Sequence, residues 1–131
     1  MIGVDTNVLV RYIAQDDPVQ SPKATQLIEG ALSLANPGFI SIVAIVETSW
    51  VLKRAYRLSD PSLAAAIERV LQIDVLVVES EQEVFAAMIA LKERRGSFAD
   101  ALIGALDAKA GCSLTVTFDE EALRLPGFEL L

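Results

Sequence analysis

Histidine is absent from the 131 residues, and cysteine occurs once, as Cys112. These gaps remove the usual imidazole ligands and general bases, any disulfide framework and any thiolate zinc site. Cys112 alone is expected to be a small buried hydrophobe. Long apolar runs are missing too. The longest, Phe39 to Leu52, is interrupted by Ser41, Glu47, Thr48 and Ser49 and falls short of the roughly 18 residues a membrane span needs. Positive charge is the scarcer sign, with Lys+Arg 11 against Asp+Glu 18 and a formal net charge of −7. Such a molecule as a whole repels phosphate, so contact with nucleic acid has to rest on a local feature. The chain opens Met1-Ile2-Gly3-Val4-Asp5. With no basic leader ahead of an apolar stretch, the expectation is a soluble, cytoplasmic protein.

What is present is apolar. At 53% hydrophobic and 22% charged, the chain can bury enough surface to offset its ordering entropy, which excludes disorder. Its length suits one domain over residues 1–131. Short apolar runs alternate with helical patterns, the signature of an α/β domain with a mainly parallel sheet. Ile2 to Val4 reads as a strand and Thr6 to Ile13 as a helix. Ser21-Pro22 supplies an N-cap and first-turn proline for a second helix that ends before Asn36-Pro37-Gly38. Phe39 and Ile40 form a strand, Ser41 caps a helix to about Tyr56, and Asp60-Pro61 opens another to about Gln72. Val75 to Val78 reads as a fully buried strand. Ser80 to Glu83 has the form of a capping box for a helix to about Arg94. Ser97 caps the next helix, Gly111 ends it, and Leu114 to Thr117 is the last clear strand.

With no histidine, the chemistry has to come from carboxylates. Glu47 has Val43, Ala44, Trp50 and Val51 as helical neighbours, so it is placed on an apolar face where an isolated charge is costly to desolvate. Pairing with a basic side chain competes with a metal site there. Asp5 follows the first strand, at the kind of edge where ligands gather in open α/β sheets, but it is also a good N-cap for the helix from Thr6. Asp119 repeats the arrangement after the Leu114 to Thr117 strand and could cap a short helix from Glu120 to Leu125. Asp100 stands three residues after Ser97 in a possible capping box. Together these acids could converge at one sheet edge as an all-oxygen pocket suited to Mg²⁺ or Mn²⁺. Such an ion supplies a hydroxide-like water at neutral pH without an imidazole.

At these residues the sequence resembles the PIN-domain ribonucleases, in particular the VapC toxins of VapBC-type toxin–antitoxin pairs. The motifs are Val4-Asp5-Thr6-Asn7-Val8-Leu9-Val10-Arg11, Ile45-Val46-Glu47-Thr48-Ser49-Trp50-Val51-Leu52, Phe98-Ala99-Asp100-Ala101-Leu102-Ile103 and Thr115-Val116-Thr117-Phe118-Asp119. The resemblance implies a three-layer α/β/α sandwich and an acidic quartet of Asp5, Glu47, Asp100 and Asp119. By resemblance, Asp5 and Asp100 are the principal Mg²⁺ ligands, Glu47 and Asp119 bind metal directly or through water, and Thr6, Asn7 and Thr117 support the site. It further implies hydrolysis of RNA phosphodiesters to 5′-phosphate and 3′-hydroxyl ends, a homodimer, and inhibition by a VapB-like antitoxin.

Arg11 and the clusters Lys53, Arg54, Arg57 and Lys92, Arg94, Arg95 are the candidate RNA contacts, Arg11 and Arg95 foremost. Basic residues at helix C-termini are favoured by the macrodipole anyway, which is the competing account. Asp16, Asp17 and Asp107 are read as turn or solvated residues. A receiver domain is disfavoured because no lysine follows Thr117, and a haloacid-dehalogenase-type phosphatase because Asp5-Thr6-Asn7 lacks the second aspartate. The remaining rival is a non-catalytic PIN-like module that binds RNA or protein, with caps in place of ligands.

Overall fold

The computed structural model describes residues 1–131. It is an α/β fold in which every strand pairing is parallel. Strand β1 (Ile2–Gly3) leads into α1 (Thr6–Ala14), then α2 (Gln20–Gln26), which continues as a π-helical turn over Leu27–Ala31. Strand β2 (Gly38–Ile40) is followed by α3 (Ile42–Arg54) and α4 (Asp60–Leu71), and β3 (Leu76–Val78) by α5 (Glu81–Lys92) and α6 (Phe98–Ala110). Strand β4 (Thr115–Thr117), a 3-10 turn (Glu120–Arg124) and β5 (Phe128–Leu130) complete the chain. Parallel neighbours need long crossovers, which α1 with α2 and α3 with α4 supply in the three-stranded sheet. In the three-stranded sheet the order is β1-β2-β3, while β4 and β5 form a separate pair.

The caps show which local signals decide the elements. Ser41 Oγ accepts from the Ala44 amide at 3.2 Å and Ser97 Oγ from that of Asp100 at 3.1 Å, as expected of N-caps. Ser21 does not cap: it is buried and its hydroxyl donates to the Arg11 carbonyl. Asp17 takes the role, its Oδ1 accepting from the amides of Val19 and Gln20. The expected capping box at Ser80 is also absent. Ser80 is left-handed at φ +51°, and both box side chains turn to Lys109 of α6, which donates to Ser80 Oγ and pairs with Glu83. Strand β3 is not fully buried either, since Val77 on this sheet-edge strand is 43% exposed. Cys112 is exposed rather than buried, because the chain turns outward after the Gly111 cap of α6.

The core is one cluster that includes Leu9, Ile45, Leu52, Leu63, Met88, Leu91 and Leu102, all nearly inaccessible. It joins α1 and α3 to α4, α5 and α6. No helix is long and apolar enough to cross a membrane.

Two helices end in the same motif with different residues. In α6 the amide of Cys112 reaches the Asp107 carbonyl past left-handed Gly111. In α5 the amide of Arg95 reaches the Ala90 carbonyl, that of Arg94 reaches Leu91, and Arg94 itself holds φ +57°. Glycine is cheaper there by about 1 kcal/mol because a Cβ crowds the left-handed backbone. Arg94→Gly is therefore expected to raise the melting temperature by about 3–5 °C, read by calorimetry.

Candidate functional site

The carboxyl ends of β1 and β2 open on the same edge of the sheet, and each feeds a helix N-terminus. Asp5 sits between β1 and α1 in extended conformation, and its Oδ1 accepts from the Thr6 amide at 2.8 Å. Thr6 points its hydroxyl across to α3 and donates to Glu47 Oε1 at 3.1 Å. Through Thr6 the first two acids are tied together, each with its second oxygen unengaged. Glu47 is not on a buried face: it is exposed, and its neighbours Val43 and Trp50 are themselves 67% and 49% exposed. Of the apolar neighbours of Glu47, Val43 and Trp50 thus face outward while Ala44 packs into the core, and the Arg54 guanidinium lies over the Trp50 ring. At the end of β3, Glu79 is a structural acid that sequence reading did not single out. Its Oε1 accepts the Ile42 amide at 2.8 Å, satisfying a free donor at the start of α3.

Asp100 and Asp119 stand on other elements, α6 and the turn after β4. Asp100, in the first turn of α6 and half-buried, borders a polar cavity of about 500 Å³ with Lys53, Asp60, Arg94, Arg95 and Arg124. Asp119 follows β4, in the second sheet, and caps the 3-10 turn by accepting from the Glu121 amide at 2.9 Å. Thr117 Oγ1 accepts the Asp119 amide at 3.0 Å. Asp119 thus follows a strand of the β4–β5 pair, while Asp5 follows β1 of the three-stranded sheet. No three Asp, Glu or Cys side chains stand close enough to hold a metal ion. In donor type the acids fit a hard divalent cation, being all-oxygen and solvent-reachable, and the Thr6 bonds link Asp5 to Glu47.

Arg11, a foremost RNA candidate, is engaged within the fold. Its Nε donates to Gln20 Oε1 at 2.9 Å, and its NH1 donates to Asp16 at 3.1 Å and to the Tyr56 hydroxyl at 3.1 Å. The Tyr56 hydroxyl donates to Asp16 Oδ2 at 2.7 Å, closing a network between α1, the following loop and the end of α3. That hydrogen bond from Tyr56, with those from Arg11, holds the Asp16 carboxyl below its ordinary range. The group is depressed in the fold, so its contribution is present at neutral pH and is lost only as the pH falls through the acidic range below about 4. Asp17 is depressed likewise, by the Gln20 and Val19 amides it caps. Asp107 is not merely solvated, since its Oδ2 accepts from Thr115 Oγ1 at 2.7 Å and fastens β4 to α6. Arg95 does border the Asp100 cavity, paired with Glu93 at 2.9 Å. Arg124 joins it there and was not foreseen, because only the return of the chain after β4 carries it to the α5–α6 junction.

Comparison with curated proteins finds no match. The family model for the PIN domain matches residues 2–127, a span that contains Asp5, Thr6, Glu47, Asp100 and Asp119. With that coverage and a parallel α/β fold, the chain belongs to the PIN-domain family, a nuclease-type fold that acts on nucleic acid and typically uses divalent metal ions.

Proposed function

We propose that the chain is a metal-dependent endoribonuclease, a cytoplasmic VapC-type toxin that works as a single PIN domain over residues 1–131. The observation that carries this reading is the hydrogen bond from Thr6 Oγ1 to Glu47 Oε1. It sets two acids side by side at a sheet edge, with an oxygen of each left over. A helix cap at Asp5 with no further task needs no such link to Glu47 inside α3.

In this reading Asp5, Glu47, Asp100 and Asp119 hold Mg²⁺ or Mn²⁺, with Thr6, Asn7 and Thr117 in support. When bound, the ion neutralises a phosphodiester and lowers the pKa of a water to the neutral range. Asp5 spends one oxygen on the α1 amide, which fixes its rotamer and directs the other outward. Thr6 orients Glu47, and Thr117 holds the backbone of Asp119. Because the chain has no histidine, the carboxylates of the site are the groups placed to accept a proton there. RNA is the substrate, the products carry 5′-phosphate and 3′-hydroxyl ends, and the partners are a second copy of the chain and a VapB-like antitoxin. The rival, a non-catalytic module that binds RNA or protein, is favoured by the cap bonds of Asp5 and Asp119 and the absence of a three-donor cluster.

Incubation with total RNA followed by sequencing of the ends separates the two. Cleavage at defined positions, lost in EDTA and restored by Mg²⁺ or Mn²⁺, is the expected result. Undiminished cleavage in EDTA overturns the metal mechanism, and intact RNA under all conditions favours the module.

A further inference from the structure

We propose that the polar cavity beside Asp100 binds a phosphodiester group of the RNA strand through Arg94 and Arg124. The inference rests on the ribonuclease reading above and names a substrate contact for it. The cavity measures about 500 Å³ and has no hydrophobic residue in its wall. Four cations, Lys53, Arg94, Arg95 and Arg124, meet three carboxylates, Asp60, Asp100 and Glu121. Two of the cations are already committed, Lys53 to Asp60 at 2.5 Å and Arg95 to Glu93 at 2.9 Å. Arg94 and Arg124 enter none of the chain's ion pairs.

The backbone adds to the same charge. Helix α4 begins behind Ser59 and α6 behind Ser97, and both N-caps border the cavity. A helix N-terminus carries roughly half a positive charge; Asp60 and Asp100 stand in the first turns of these two helices, and the four cations of the wall still outnumber its three carboxylates. This reverses the macrodipole account of Arg94, which sits at the end of α5 but also at the mouth of α6. Arg94 moreover occupies a left-handed position that glycine fills at the matching end of α6. Phosphate is the anion that matches planar guanidinium donors together with helix-end amides. Because Asp100 shares the wall, a phosphate held here lies on a strand that passes one of the proposed catalytic acids.

The test measures anisotropy of a labelled single-stranded RNA with the Asp5→Asn chain across a range of salt concentrations. Arg94→Gln with Arg124→Gln is expected to weaken binding about tenfold at low salt and to flatten the plot of log affinity against log salt by about 1.4, two contacts at about 0.7 each. Arg94→Lys with Arg124→Lys should keep most of the slope, and Arg69→Ala, on α4 outside this cavity, should keep all of it. In the cleaving chain the glutamine pair should raise KM. A slope and KM unchanged by the glutamine pair, in a chain that still binds and cuts RNA, overturn the subsite alone. RNA neither bound nor cut by the unsubstituted chain overturns the subsite and the ribonuclease reading together.

Discussion

Asp5→Asn is expected to slow RNA cleavage by on the order of 100- to 1,000-fold, the several kcal/mol that a charged metal ligand contributes. The variant should keep its fold. Asp5 has two tasks, and asparagine can perform only one of them. Its amide oxygen can still accept the Thr6 bond that Asp5 Oδ1 now accepts, and asparagine is as good an N-cap as aspartate. What it loses is the charge, which near a helix N-terminus contributes about 0.3–1 kcal/mol to stability. The melting temperature should therefore fall by no more than about 5 °C. Alanine is the poorer choice, since removing the cap costs about 1 kcal/mol more and confuses the two roles. Asp17→Asn is the matching control. Asp17 caps α2 with the same chemistry but stands outside the proposed site, so cleavage should be unaffected. Full activity in Asp5→Asn, measured with purified protein and a labelled RNA, would remove Asp5 from catalysis.

The contrast between Asp5 and Asp17 shows what a sequence can disclose. Both are aspartates before a helix, and the local signal for capping is the same. Elements that rest on bonds within a few residues were legible: the Ser41 and Ser97 caps, the Gly111 terminus, and the alternation of strands and helices. Readings failed where a distant partner intervenes. Lys109 draws Ser80 and Glu83 out of their capping box. Glu47 looked buried because its helical neighbours are apolar, yet nothing covers Val43 or Trp50. Arg11 reads as a candidate RNA contact, although Asp16, Gln20 and Tyr56 occupy it. Strand β5 was missed altogether, since three residues after a glycine turn carry little signal until β4 pairs with them. Of the candidate site, the Asp5–Glu47 half follows from elements placed by local rules. The positions of Asp100 and Asp119 depend on how α6 and β4 return to the body of the fold, which no short-range pattern encodes.

Gly38→Val is expected to lower stability by about 3 kcal/mol, a large fraction of the 5–15 kcal/mol that holds a domain folded. In Asn36-Pro37-Gly38 the glycine reads as a turn residue. In the fold it begins β2, is buried, and pairs with Ile2 on one side and Leu76 on the other. Conformational freedom does not explain it. A Cβ there would lie 2.8 Å from Leu32 Cδ1 and 3.0 Å from both Leu76 Cδ2 and Val4 Cγ2. These come from the segment after α2, from β3 and from the end of β1, so relief toward one neighbour presses on another. Valine adds two further methyl groups, and its β-propensity gains at most about 1 kcal/mol in return. The melting temperature should drop by about 10 °C, at about 3–5 °C per kcal/mol. Alanine should produce a smaller loss of the same sign, and an unchanged transition in both variants would mean that the three side chains give way together. The same crowding pushes β1 and β2 apart, and these strands deliver Asp5 and α3 to the site. Cleavage should therefore decline in Gly38→Val well below its melting temperature, as the Thr6–Glu47 bond that joins the two acids is stretched.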